Sequence, residues 1–412
     1  MAAPAGIDGP AVLPRLALVT DGDVGPSSRG AGRTLVNLFA RWPADRLLIA
    51  TSASAQPPRD EHGHRVHQQT GWLPGGIASR LAPLLGDAQA LWATQPFVPW
   101  TRAIRDFAPD LVLAVPTGSA ALAWAEQVQR ALPCPVVTYL MDEWMSTRDR
   151  DWLGDTALAA TKRLLYESVG WLAISPQLAK RMEAIAGGRW PTLVVHNPVA
   201  LGAEPPAALA APRTGTFRIG YAGSVWPMHL DAILVVAESV ARLRARGADV
   251  TLVLHTDAHG WNAAAAQFQA LGVQNGGLVP YARLRETLGA YDLLLVASAF
   301  GAAYAALSSS SLQTKVTDYL AAGRPILACG PKESASNTYL REHDCAWLVE
   351  SMAHDVADGV IAQCIASRAE GQEMAARGYD LVRREHSTEV VTARVYAFLA
   401  AAASRSLISA AP

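Results

Sequence analysis

Residues 308–328 read SSSSLQTKVTDYLAAGRPILA: a polar loop, a short helix, a glycine stop and a buried strand in succession. The serines are expected to cap the helix, because a hydroxyl accepts from the orphan N–H groups at a helix start. Gly323 enters a left-handed cap without steric cost, Pro325 bars continuation, and Ile326-Leu327-Ala328 reads as a strand buried on both faces. Thr314, Lys315 and Asp318 are spaced to share one helical face near the N-terminus. Free N–H groups, an ammonium and a hydroxyl suit an anion, and a carboxylate one turn further in suits a sugar diol. Diphosphate first and ribose second is the spacing of a nucleotide.

The same stretch resembles the segment S-x-x-x-K-x-x-E-Y-x-A-x-G-x-P-V of GT-B-fold glycosyltransferases, above all the retaining family four, also called group 1. In that family this helix holds the sugar nucleotide, with the acidic residue on the ribose. The resemblance therefore puts Lys315 on the diphosphate and Asp318, a shorter carboxylate than the usual glutamate, on the ribose. Many members carry an earlier glutamate, and its place here is Ser310.

Outward from this stretch, 412 residues suggest two domains of ordinary size, and 50% apolar residues suffice for two cores. A net charge of −1 gives no global field for nucleic acid. Cys134, Cys329, Cys345 and Cys364 show no C-x-x-C spacing and read as reduced core thiols. No apolar run reaches the ~20 residues of a spanning helix. Residues 1–14 lack a basic start and a sustained apolar stretch, so they read as a flexible leader. The expected setting is cytoplasmic, with room for peripheral contact at the inner face of a membrane.

The first half alternates strand and helix. RLALVT (Arg15–Thr20) opens onto the glycine-rich DGDVGPSSRGAGRT, and a helix is expected through TLVNLFARW. Strand, glycine-rich loop and helix open a doubly wound domain, although the glycines do not form G-x-G-x-x-G. Gly30, Gly32 and Arg33 are either site residues or parts of a turn. Further strands are expected at Leu47–Thr51, Asp110–Val115, Val136–Leu140 and Trp171–Ile174, with Ser175 capping the next helix. His62, His64 and His67 lack metal-site spacing and are placed on a surface loop or hairpin. Asp142 and Glu143 sit just past a strand's carboxyl end, where open α/β sheets place ligands. They could orient an acceptor hydroxyl or take its proton, or cap the next segment. His196 and Asn197 end the strand in PTLVVHNPV.

Residues 200–216, ALGAEPPAALAAPRTGT, form the linker between a domain over 15–199 and a second over 217–385, with 386–412 as a terminal helix that packs back on the first. Alternation in both halves argues for two Rossmann-like domains facing across a cleft. The resemblance names this the GT-B fold and assigns donor contacts in the second domain. Gly223 and Ser224 in YAGSVWPMH face the diphosphate, without the arginine and lysine that commonly follow in the family, so His229 is expected to add charge to that of Lys315. His255 ends VTLVLH near the base pocket, and Val279 and Tyr281 in GLVPYARLRETLGAYDLLLVAS lie near the nucleobase. A helix is expected near Asn262–Leu271, and Asp292 is structural.

The implied function is transfer of a sugar, of hexosyltransferase type, from a nucleoside-diphosphate-sugar donor to a hydroxyl on a glycan, lipid-linked or small-molecule acceptor. Retention of configuration is implied by the resemblance. No cofactor beyond the donor is expected. No metal is expected, since the sequence places no D-x-D element at a plausible cleft strand beyond the local imitation Asp21-Gly22-Asp23. Two rivals remain: a sugar-nucleotide epimerase on the same fold, and a non-catalytic GT-B subunit that activates a partner enzyme. Turnover of sugar nucleotide separates the enzymes from the subunit.

Overall fold

In the computed structural model the described residues are 12–25, 28, 30–51, 56–68, 98–143, 154–209 and 214–405. The leader up to residue 11, residues 69–97 beyond the three histidines, Trp144 and linker residues 210–213 lie outside them. The chain forms two units, Met1–Val195 with Thr392–Pro412, and His196–Val391.

The first unit holds seven parallel strands: β1 Leu16–Thr20, β2 Leu47–Thr51, β3 Arg65–Gln68, β4 Leu111–Val115, β5 Val136–Leu140, β6 Gly170–Ala173 and β7 Thr192–Val194, in the order β3-β2-β1-β4-β5-β6-β7. β1, β2, β4 and β5 are buried along their whole length. A parallel sheet covered on both faces demands continuous apolar runs, which is why LALVT, LLIAT and LVLAV stand out in the sequence. Ser175 does cap the helix Pro176–Ala186, its hydroxyl accepting from the Leu178 N–H at 2.9 Å.

Several expectations change here. The first helix spans Gly30–Phe39, so it begins inside the glycine-rich loop rather than after it. A Cβ on Gly32 would collide with the Asp23 carbonyl, so the glycine is what lets this helix start against the β1 loop. Arg33 is held by Glu61 at 2.7 Å and by the Ser28 carbonyl. Of the three histidines, His64 is buried in a narrow turn closed by the antiparallel Arg59–Arg65 bridge. Its ring meets the Asp60 carboxylate at 2.7 Å and the Trp42 carbonyl at 2.8 Å. His67 lies in β3, which joins the sheet edge parallel to β2. From Thr392 onward the helix Thr388–Ala403 belongs to this unit, with Tyr396 edge-on to Trp42 at 4.7 Å and its hydroxyl donating to the Leu38 carbonyl.

The second unit holds six parallel strands: β8 Phe217–Ala222, β9 Val250–His255, β10 Gln274–Asn275, β11 Leu293–Ala297, β12 Ile326–Cys329 and β13 Trp347–Val349, in the order β10-β9-β8-β11-β12-β13. The helix expected near Asn262–Leu271 is two short helices, Ala258–Asn262 and Ala265–Ala270. The four serines do not open the helix of the decisive stretch. Ser308, Ser309 and Ser310 sit in the preceding helix, Ala305–Ser310, and each hydroxyl bonds back to a carbonyl three or four residues earlier. Backbone carbonyls of the preceding turn compete for a serine hydroxyl as well as the N–H groups ahead. Gly323, at φ +65°, ends the helix Lys315–Ala321 as expected. Asn197 and Val199 are tied into this second unit, the first to Thr314 and Thr317 and the second by a bridge to Ser387.

Candidate functional site

In the second sheet the chain leaves β8 for β9 on one side and returns to β11 on the other, so the strand order reverses between β8 and β11. Open α/β sheets bind ligands at such a switch point, outside the carboxyl ends of the strands. The two strands pair only through Ile219–Leu293 and Gly220–Leu294. Beyond Gly220 they part, and Tyr319 takes the place of β11. Its hydroxyl accepts from the Ala222 N–H at 2.7 Å and donates to the Ala222 carbonyl at 3.1 Å. One phenol thereby completes the strand end and seats the helix Lys315–Ala321 against it.

The approach to that helix is held twice more. The Gln313 side-chain amide donates to the Ala297 carbonyl at 2.8 Å and to Ser298 at 2.9 Å, at the end of β11. The Asn197 amide donates to the Thr314 carbonyl and the Thr317 hydroxyl, both at 3.3 Å. Thr314 occupies the N-cap without a side-chain cap bond, and the Val316 N–H already donates to Gln313. The helix is a single short stretch, so the positive charge at its start is chiefly that of Lys315.

Lys315 is half-buried beneath β8. Its ammonium donates to the Tyr221 hydroxyl at 2.7 Å and lies 3.9 Å from the centre of that ring. A Cβ on Gly223 would lie a tight 3.0 Å from the ammonium and would displace it, and the φ of +140° also favours a glycine. Burial pushes the ammonium down to about 7, with no ion pair among the described residues to oppose it. Asp318, one turn on, is also half-buried. Burial raises its carboxyl to about 7 against the pull of Arg285 and of the Tyr281 hydroxyl, which points at it from 3.5 Å.

The residues named from the sequence fare differently. Lys315, Gly223, Tyr281 and Asp318 come together. The Gly223 N–H is spent on the His255 carbonyl at 2.9 Å and is not available to a diphosphate; the glycine contributes space. The Ser224 carbonyl accepts from Tyr221 at 2.6 Å. His229 does not add charge: burial and the Lys315 cation push it down to about 3, and its ring accepts from the Trp226 N–H. His255 uses both ring nitrogens. One meets the carbonyls of Gly276 and Gly277 at 3.0 and 3.1 Å, and the other the Tyr291 hydroxyl at 2.6 Å. It fixes the loop that leads to Val279, which is half-buried, and to Tyr281, the first residue of the helix Tyr281–Gly289.

In the first unit, Asp142 is exposed past the end of β5, whereas Glu143 is buried and meets Arg181 at 3.2 Å. Asp21 accepts from Thr117, and Asp23 from the Gly25 N–H at 2.8 Å. Among the described residues no group of three or more His, Cys, Asp or Glu is placed to hold a metal ion. Tyr221 and Tyr319 escape sequence reasoning because a tyrosine in a buried run reads as core. The one available signal is for Tyr319, which stands at the tyrosine of the E-Y pair in the GT-B segment.

Residues 235–397 match the family model described as glycosyl transferase-like. Anabaena HepE, solved with UDP and glucose, superposes with a TM-score of 0.65 at 17% identity, over 94% of this chain and 99% of that one. Sucrose-phosphate synthase from Thermosynechococcus elongatus does so with a TM-score of 0.72 at 14% identity, over 94% and 99%. A glycosyltransferase from Rickettsia africae reaches 0.62 at 12% identity, over 95% and 98%. Comparison with curated protein sequences finds no match. The fold is GT-B, and the resemblance to GT-B glycosyltransferases is borne out.

Proposed function

We propose that this protein transfers a hexosyl group from a nucleoside-diphosphate sugar to an acceptor hydroxyl, with retention and without a divalent metal. The observation that carries it is Lys315: an ammonium at the switch point, one turn from a raised carboxylate, with a tyrosine hydroxyl as its hydrogen-bond partner and, among the described residues, no ion pair. Such a cation is short of an anion, and a departing diphosphate is one whose charge grows as the bond breaks. A donor fixed where charge develops stabilises the transition state more than the ground state.

In this reading Lys315 meets the diphosphate and Asp318 accepts from the ribose hydroxyls, with Tyr281 beside it. The bond from the anomeric carbon to the phosphate oxygen breaks as the acceptor oxygen attacks from the same face. The acceptor proton passes to the leaving phosphate, so no side-chain nucleophile is required. In the first unit Asp142 orients the acceptor, and Glu143 serves to hold Arg181. The acceptor is a glycan, a lipid-linked sugar or a small molecule. Among the described residues no helix is long and apolar enough to cross a membrane.

UDP-glucose, bound in one HepE structure, is the first donor to test. Purified protein should melt higher with the right sugar nucleotide and release nucleoside diphosphate when acceptor is added. Stabilisation without any turnover across a panel of donors and acceptors would favour the non-catalytic subunit instead. No stabilisation by any sugar nucleotide would overturn the reading.

A further inference from the structure

We propose that Tyr221 is a positioning residue for the transfer reaction, its hydroxyl and ring together holding the Lys315 ammonium where the diphosphate is read; this rests on the proposed role of Lys315. Tyr221 is fully buried in β8, and its hydroxyl lies between two groups of fixed character. On one side is the Ser224 carbonyl at 2.6 Å, which can only accept, so the phenol spends its single proton there. Its lone pairs are then left for Lys315, 2.7 Å away, which can only donate. The order ammonium, phenol, carbonyl has one polarity and cannot be reversed. The ring adds a second hold, with the ammonium 3.9 Å from its centre.

A tyrosine serving only as core would not need this geometry, since phenylalanine fills the same volume. The hydroxyl is thus the part to remove. It favours the charged lysine by accepting from it, so its loss must lower the pH at which Lys315 gives up its proton. The groups facing Lys315 are few. Tyr221 comes from β8 and His229 from the helix Pro227–Ala245; Asp318, one turn on in its own helix, faces the Tyr281 hydroxyl, and the Tyr319 hydroxyl is occupied by Ala222. His229 stays neutral through the assay range and Tyr221 stays protonated. Asp318 loses its proton as the pH rises through about 7, which shapes the acid side. The alkaline side therefore belongs to Lys315.

The chain has four lysines, Lys162, Lys180, Lys315 and Lys332, so a spectrum of carbon-13 lysine is readable, with Lys315→Met assigning the resonance. In Tyr221→Phe the Lys315 titration should move down by roughly half a pH unit or more. The alkaline limb of donor kcat/KM should move with it. kcat should fall about tenfold, with a smaller change in donor KM. An unchanged Lys315 titration in folded Tyr221→Phe overturns the positioning role, whether or not the protein turns over any donor. A shifted titration in a protein that binds no sugar nucleotide supports the Tyr221–Lys315 coupling and overturns the transferase reading alone. Should Tyr221→Phe not fold, 3-fluorotyrosine in place of Tyr221 keeps the shape and weakens the oxygen as an acceptor. The Lys315 titration must then still move down, and its failure to do so overturns the proposal.

Discussion

Lys315 and Asp318 are charges held away from water, and truncating each should produce a different defect. Lys315→Ala removes stabilisation that grows as the leaving group departs, so turnover should fall about a hundredfold, or ~3 kcal/mol, with a smaller loss of donor affinity. Asp318→Ala removes hydrogen bonds made equally before and during reaction, so the donor Michaelis constant should rise by the equivalent of roughly 1.5–3 kcal/mol. Steady-state kinetics with calorimetric donor binding separates the two, and equal effects on both parameters would contradict the assignment. The same residues should cost stability. Asp318 titrates at about 7 in the folded chain against ~4 unfolded, so its penalty is absent at low pH, grows as the pH rises past ~4, and is complete above about 7. Lys315 has the opposite sign: its penalty is full below about 7 and is relieved as the pH rises toward ~10. Asp318→Asn should accordingly stabilise the protein at pH 8 by roughly 0.5–2 kcal/mol and have little effect near pH 4. Thermal melts at the two pH values decide it, and equal shifts at both would show that the carboxylate charge is not the cause.

At the scale of elements, the helix Lys315–Ala321 is aimed by its contact with the end of β8. Val316, Tyr319 and Leu320 bury its inner face, as their spacing suggests. The Tyr319 hydroxyl then satisfies both backbone groups of Ala222 where β11 has parted from β8. Tyr319→Phe should destabilise the protein by ~1–3 kcal/mol, because a buried N–H and carbonyl would lose their partner. It should also loosen the loop at Gly223, read as faster hydrogen exchange at Ala222 and Gly223. Unchanged exchange there would mean that the strand end is held by something else. The strands were legible because parallel strands buried on both faces must be apolar throughout, as in LLIAT and LVLAV. The serine run was misread because a hydroxyl serves equally to start a helix or to bond back into the one before. Only the neighbouring backbone at Ala305 and Ala306 settles which.

For the whole molecule, the proposed reaction has a side chain meet the donor's charge, so turnover should persist in excess chelator. Loss of activity in chelator, restored by magnesium or manganese, would contradict this and redirect attention to Asp21 and Asp23, whose carboxylates here hold Thr117 and Gly25. Two α/β units, their strand positions and the Lys315–Asp318 spacing followed from the sequence by itself, because they depend on local pattern: apolar runs, glycine stops and helical periodicity. Gly223 as space rather than a donor, His229 as a neutral cap, the Arg33–Glu61 and Glu143–Arg181 ion pairs, and Tyr221 against Lys315 were decided only by the tertiary structure. Each depends on which distant group takes up a hydrogen bond or removes water. Gly223 and His255 lie 2.9 Å apart across a strand pair, and Tyr221 and Lys315 2.7 Å apart between strand and helix. A residue's charge and the partner left to it are properties of those meetings, and no local pattern encodes them.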